Sequence, residues 1–323
     1  MPLSLRGGAT ALGASEDKQF FIRKMLARAV PKKVHAQFGN KDFIPVRGGQ
    51  SVEWRQLQSF TTSVTALVEG TPGAETIPSV VRTAATVNQY GMFYRQTEVA
   101  ASQSIDDLRA EGAEALGEAM GDAYDLLTRN IVRGTTTIQY ASTAGSRLMV
   151  GSGMRLNAAE LREALATIKT NNGLPFEDGG YKVIIHPRTE ADLFNDPTIV
   201  NAFKDAGERG GGNPLFTGKL GRYLGADFYT TSNASIQAAS GVSVTAAGQA
   251  DVYQTLVIAK DGFGIVELSA LTSDLIYHAA GTSGVWDPLN QLSSQGYKFS
   301  HTGAVLNNSW IVSVEHTTSL GVE

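Results

Sequence analysis

The chain has no cysteine, and its 323 residues include only five histidines, three tryptophans and ten prolines. Without cysteine there is no disulfide framework, no thiolate nucleophile and no thiolate-bound metal, so any soft-ligand chemistry falls to the few histidines. A reducing cytoplasm suits such a chain. No stretch approaches the ~18 uncharged apolar residues of a membrane span, and the opening MPLSLRGGATALGASEDKQ lacks the continuous apolar segment of a secretion signal. Neither export nor a membrane span is expected. What is present is ordinary globular material, 42% hydrophobic and 18% charged residues, enough for one large core or two smaller ones.

The formal net charge of −4 is unevenly spread. Residues 1–50 carry nine Lys and Arg against three acids, which leaves eighteen against twenty-eight in residues 51–323. A basic head on an acidic body fits an arm that docks on an acidic neighbour or is simply solvated; contact with nucleic acid is the lesser reading.

Hydrophobic periodicity organises the rest. KQFFIRKMLARAV places Phe21, Met25 and Ala29 in one stripe beside Ile22 and Leu26, a short amphipathic helix that Pro31 ends. From Ser51, Val52 and Trp54 alternate with Glu53 and Arg55, and Val81, Thr83, Ala85 and Val87 repeat the two-residue period. These strands bracket TTSVTALVEGTPGAETIPS, a turn-rich tip, and make a long two-stranded arm that needs a surface to lie on. SIDDLRAEGAEALGEAMGDAYDLLTRNIVRG reads as a helix of about 43 Å with Ser104 as N-cap and Ile105, Leu108, Leu116, Ala119, Ala123, Leu127 and Ile131 on one face. Gly112, Gly117 and Gly121 each weaken it, so close packing against another backbone is expected there. A second helix starts at Asn157 as N-cap and closes at Asn171 to Gly173. The later segments DVYQTLVIA, GFGIVEL, YKFSHTGAVL and SWIVSVEHT alternate as strands, and Asn307 and Asn308 read as a two-residue hairpin turn.

The candidates for chemistry are few. In YKVIIHPRTEADLFNDP, His186 precedes Pro187, which favours the first turn of a helix, so strand, turn and helix account for every residue without a catalytic histidine. His35, His278, His301 and His316 are scattered with no metal-ligand spacing, and no GxSxG elbow is present. GERGGGNP lacks the GxxxxGK[ST] pattern of a phosphate cradle and reads as a loop. Lys204, Arg209, Lys219 and Arg222 nearby read as a solvated face. Trp54, Tyr90, Phe93 and Tyr94 sit at strand spacing and fit an interface better than base stacking. No catalytic, metal or cofactor site is expected. Elements too long for their own domain point to assembly.

Six segments then carry a resemblance. LARAVPKKVHAQFG, VNQYGMF, EALGEAMGDAYDLLTRNIVRGTTTIQYA, NNGLPFEDGGYKVIIHP, GKLGRYLGADFYTTSN and DPLNQLSSQGYKFSHTGAVLNNSWIVSVE resemble, in order along nearly the whole chain, the major capsid proteins of N-four-like tailed phages. The resemblance implies an α+β protein with the Hong Kong 97-type capsid fold. Its parts would be an N-terminal arm (1–50), an extended β-hairpin loop (51–100), a peripheral domain with a long spine helix (101–172), an axial domain (173–290) and a closing β-hairpin of the peripheral domain (291–323). It implies hexamers and pentamers in an icosahedral head, with a scaffolding protein, a portal, a possible cement protein and packaged double-stranded DNA as partners. The DNA would be held without sequence-specific contacts, and the acidic body suits such a lining. Lys24, Arg28, Lys32 and Lys33 are the expected arm contacts onto Asp106, Asp107, Glu111 and Glu114 of a neighbour, with Trp54, Tyr90, Phe93 and Tyr94 as further interface residues. Some relatives weld their shells through a lysine of the extended loop, but no lysine lies between Ser51 and Ala101, so no such cross-link is expected. An encapsulin-like compartment shares the fold, and a soluble hydrolase centred on His186 is the alternative from another class.

Overall fold

The computed structural model describes residues 25, 27–29, 32–45, 47–58, 60, 62, 64, 66, 69–70, 75–104, 107–205, 220–245, 248–268, 274–282 and 287–319. The GERGGGNP loop, Lys24, Asp106 and residues 61, 63, 65, 67–68 and 71–74 of the turn-rich tip lie outside them. In chain order the strands are β1 (Asn40–Ile44), β2 (Ser51–Leu57), β3 (Val80–Thr86), β4 (Asn88–Thr97), β5 (Ile138–Tyr140), β6 (Tyr181–Ile185), β7 (Arg222–Tyr223) and β8 (Ala226–Thr230). They continue with β9 (Ile236–Gln237), β10 (Ser243–Thr245), β11 (Gly248–Gln249), β12 (Val252–Ile258), β13 (Phe263–Leu268), β14 (Asp274–His278), β15 (Leu292–Val305) and β16 (Ile311–His316).

Two sheets carry the architecture. The first has the order β1, β13, β15, β14, with β4 also on β15. Its long strand β15 pairs with β13 through Thr302 to Val305 and, further toward its start, lies between β4 and β14. The second sheet has the order β5, β16, β12, β6, β8, β7, with β9 beside β12. Its central strands YKVII, VYQTLVI and IVSVEH are buried at every position. Near-continuous β-branched runs of this kind belong to strands covered on both faces. The ribbon of β2 and β3 stands apart, paired in register from Ser51 opposite Thr86 to Leu57 opposite Val80.

The second helix forms as its sequence requires. Asn157 caps it by accepting from the amides of Ala159 (2.8 Å) and Glu160 (3.0 Å). At its end Asn172 takes φ 55°, and the Gly173 amide returns to the Ile168 carbonyl at 2.9 Å, closing the last turn. Leu161, Ala164, Leu165 and Ile168 pack into the second sheet's core with Val183, Ile185, Val257 and Val312.

Several expectations are corrected. The long helix does not start at Ser104, because a separate helix, Glu98–Gln103, ends there and the long one is Leu108–Val132. Ser104 is extended and ends the first, while Asp107 caps the second by accepting from the Arg109 and Ala110 amides, both at 3.2 Å. A carboxylate at a helix's positive end is the stronger acceptor. The long helix's buried face also differs, running through Ala113, Leu116, Gly117, Met120, Gly121, Tyr124 and Thr128, with Ala119, Ala123, Leu127 and Ile131 on its half-buried flank.

Asn307 and Asn308 make no hairpin turn. Asn307 has φ −137°, and its side chain accepts from the Ser309 amide to cap a 3₁₀ turn, Asn308–Trp310. Because β15 and β16 belong to different sheets, the chain there crosses between sheets, and residues 291–323 form no closing hairpin. Nor is 173–290 one continuous unit: β13 and β14 lie in the first sheet, and β5 and β16 complete the second. The long hairpin stops at Thr86. Val87 is buried with Ile44 and Val266, and β4 leaves the ribbon to pair with β15 over ten residues.

Candidate assembly surface

The basic arm docks on the long helix of its own chain, which corrects the expected contact with a neighbour. Met25 and Ala29 are fully buried against that helix. At Gly117 a Cβ would lie 2.2 Å from the Met25 carbonyl oxygen, and at Gly121 2.6 Å from that of Ala29, so glycine is what lets the two backbones meet. The charges then follow in step. Arg28 donates to Glu114 (2.8 Å) and Glu118 (2.6 Å), and Lys32 reaches Asp122 at 3.5 Å. His35 closes the ladder where both partners are buried, its amide 2.8 Å and its Nδ1 2.9 Å from the Asp125 carboxylate. Lys33 turns inward, its ammonium 4.0 Å from the centre of the Tyr124 ring, and burial holds its pKa below the usual value.

The residues expected to meet a neighbour included Arg28, Lys32 and Glu114, and the contacts within the chain also involve Glu118, Asp122, Asp125 and His35. The signal was available: acids at 114, 118, 122 and 125 recur with the helical step that separates 28, 32 and 35. Asp107 is a helix cap, and Glu111 is exposed.

The expected aromatic contacts divide. Trp54 is half-buried at the ribbon's root, its ring against Gly264 and its indole N–H 3.2 Å from Asp42. Tyr90 stacks on Phe299 with ring centres 5.8 Å apart, and Tyr94 donates to Gln295 at 2.8 Å while lying over Gly112. Phe93 alone faces out, 63% exposed, with the Arg95 guanidinium 5.6 Å from its ring centre. Along the ribbon and beyond its end Leu57, Phe60, Val64, Ile77, Val80 and Val81 are exposed, with Leu57 and Val80 directly opposite each other. Isolated two-stranded ribbons are marginal in water, so this one calls for an external surface.

His186 caps the helix Pro187–Phe194, its Nδ1 accepting from the Arg188 amide at 3.2 Å, and its ring packs on Tyr253. Burial, aided by Arg188, lowers its pKa. That is a structural histidine. His301 and His316 are buried and held at about 4, His301 by burial and the Lys33 charge, His316 by burial. His316 meets the Thr255 hydroxyl and the Thr317 carbonyl, both at 3.0 Å. Among the described residues no group of His, Asp and Glu is placed to hold a metal, and no helix is long and apolar enough to cross a membrane.

No protein-family pattern and no curated protein sequence matches the chain. Its architecture is nonetheless that of phage capsid subunits. It superposes on the "Capsid of Ralstonia phage GP4" with a TM-score of 0.70 at 12% identity, covering 88% of each chain. The capsid structure of Cyanophage P-SCSP1u gives 0.64 at 17% identity over 87% of each chain. A virus-like particle from Pyrococcus furiosus gives 0.51 at 12% identity, with 93% of this chain and 99% of that one covered. The α+β, Hong Kong 97-type fold is thus in place.

Proposed function

We propose that the chain is a major capsid protein, a structural subunit and not an enzyme, which self-assembles as hexamers and pentamers into the icosahedral head of a tailed phage around double-stranded DNA. The observation that carries this reading is the superposition on phage capsid subunits over nearly nine-tenths of both chains. An apolar ribbon left uncovered in the single subunit supports it. In this reading residues 1–50 are the arm and the β2–β3 ribbon is the extended loop, lying across an adjacent subunit. The long helix is the spine, the first sheet the core of the peripheral domain, and the second sheet the core of the axial domain. A scaffolding protein, a portal and a cement protein are the further partners, and assembly takes place in the host cytoplasm before the shell becomes part of the virion.

An encapsulin-like compartment is the second reading, supported by the weaker likeness to the Pyrococcus particle. The contents of purified native particles separate the two: DNA supports the head, and a protein cargo without DNA supports the compartment. Activity lost in His186→Ala would support the hydrolase, but a helix-capping histidine packed on Tyr253 offers that reading nothing.

A further inference from the structure

Three ionisable groups from three elements meet around the ring of Tyr124 in the long helix. The Lys33 ammonium of the arm lies 4.0 Å from the ring centre, and the Tyr124 hydroxyl donates to the Glu267 carboxylate of β13. The imidazole of His301 in β15 packs on the same ring, with centres 4.4 Å apart. His301 is fully buried, its Nε2 is 3.3 Å from the Thr128 hydroxyl, and among the described residues its Nδ1 has no hydrogen-bond partner. A proton on that nitrogen would bury a charge whose N–H has nothing to donate to, so the imidazole is held neutral. Lys41 of β1 also faces Lys33 and repels it, whereas Glu267 attracts it. Beside the cluster Lys32 reaches Asp122, and His35 is bound to Asp125.

While His301 is neutral, Lys33 and Glu267 cancel. Acid changes that balance twice in the same direction, because a proton on His301 adds a positive charge and a proton on Glu267 removes the negative one. The three groups then carry two positive charges and no negative one, in a place too dry to screen them. Two of the three are fixed in the first sheet, His301 opposite Asn88 of β4 and Glu267 opposite Phe43 of β1. Lys33 is half-buried and belongs to the arm, so it is the group free to leave.

We propose that the arm is an acid-released clamp: proton uptake at His301 and Glu267 drives Lys33 off the Tyr124 ring and unseats residues 32–38 from the long helix while the two sheets stay folded. The proposal concerns the single chain and does not depend on the capsid reading. Its direction follows from His301, which burial and the Lys33 charge hold at about 4, below the ordinary 6.5. Opening the clamp uncovers the imidazole, so the open state takes up the proton first. The seat is firmest above about 6.5 and weakens as the pH falls toward about 4, the opening equilibrium rising by up to about tenfold per pH unit for this one proton.

Hydrogen exchange of the unassembled full chain tests this, read by mass spectrometry from pH 7 to pH 4.5 and corrected for the intrinsic pH dependence of exchange. The His35 amide, 2.8 Å from the Asp125 carboxylate, is the direct reporter. Below about 6.5 the amides of residues 32–38 are expected to lose protection by up to about tenfold per pH unit, while those of β6, β12 and β16 keep theirs. His301→Gln is expected to flatten that slope, and Lys33→Met to move the loss to lower pH. His316→Gln removes a histidine held equally low in the second sheet and should leave the arm's slope as it is. Arm protection constant across the range overturns the proposal, as does loss from arm and sheets together, which is acid unfolding of the whole chain. A slope unchanged in both His301→Gln and Lys33→Met overturns it too. Should His301→Gln fail to fold, the wild-type comparison of arm with sheets and the Lys33→Met shift decide by themselves.

Discussion

Replacing Gly117 by alanine sets two opposite effects against each other. Within a helix, alanine for glycine is worth about 1 kcal/mol of added stability. Here the new Cβ would sit 2.2 Å from the Met25 carbonyl oxygen and 2.9 Å from the Met25 carbonyl carbon and Cα. These are backbone atoms, so relief requires the whole arm segment to move. Overpacking of this kind costs roughly 1–3 kcal/mol, and re-exposing Met25, which is fully buried, adds about 1.5–3 kcal/mol. The net expectation is a loss of about 1.5–5 kcal/mol and a melting temperature lower by roughly 3–10 °C. Trypsin should also cut faster at Arg28, Lys32 and Lys33. Gly145→Ala is the control, because a Cβ there meets nothing nearer than Met149 Sδ at 3.8 Å. A higher melting temperature for Gly117→Ala, with arm cleavage unchanged, would refute the docking of arm on helix.

Stability should fall on acidification in a defined window. His301 and His316 are held at about 4, below their ordinary value of 6.5, so the unfolded chain takes up their protons first. Their contribution is full above about 6.5 and is lost between about 6.5 and about 4, at up to about 1.4 kcal/mol per pH unit for each histidine. Urea unfolding of the unassembled subunit across that range should show the slope, and a flat profile would contradict it. Arg147→Ala strips Glu315, a fully buried carboxylate, of a partner 2.8 Å away and should cost about 3 kcal/mol or more by denaturant titration, only the Gln254 amide remaining to it among the described residues. On a denaturing gel, mature particles should run as single chains, because the ribbon region has no lysine to weld; covalent ladders would contradict this.

Much of this architecture was legible from local signals. Alternation marked β12, β13, β15 and β16, and Asn157 marked a helix start, because pleat and cap are properties of neighbouring residues. His186 before Pro187 already read as a strand passing into a helix. Partnership between strands was not legible. LNNSW looks the same whether it turns a hairpin or carries the chain from one sheet to another, and only the pairing of β16 with β12 decides it. The three helical glycines announced a close backbone approach, but not that Met25 and Ala29 supply the arm and Tyr94 the side chain over Gly112. Trp54 and Tyr94 were read as contacts to other subunits and lie against their own chain, since strand spacing says which side chains share a face and not what covers it.

Electron microscopy of the chain expressed with the proposed scaffolding partner, imaged in the void fraction of a size-exclusion column, tests the central claim most directly. Closed icosahedral shells, with free rings of five and six subunits beside them, are the expected result. A stable monomer or small dimer in the presence of that partner would contradict the claim.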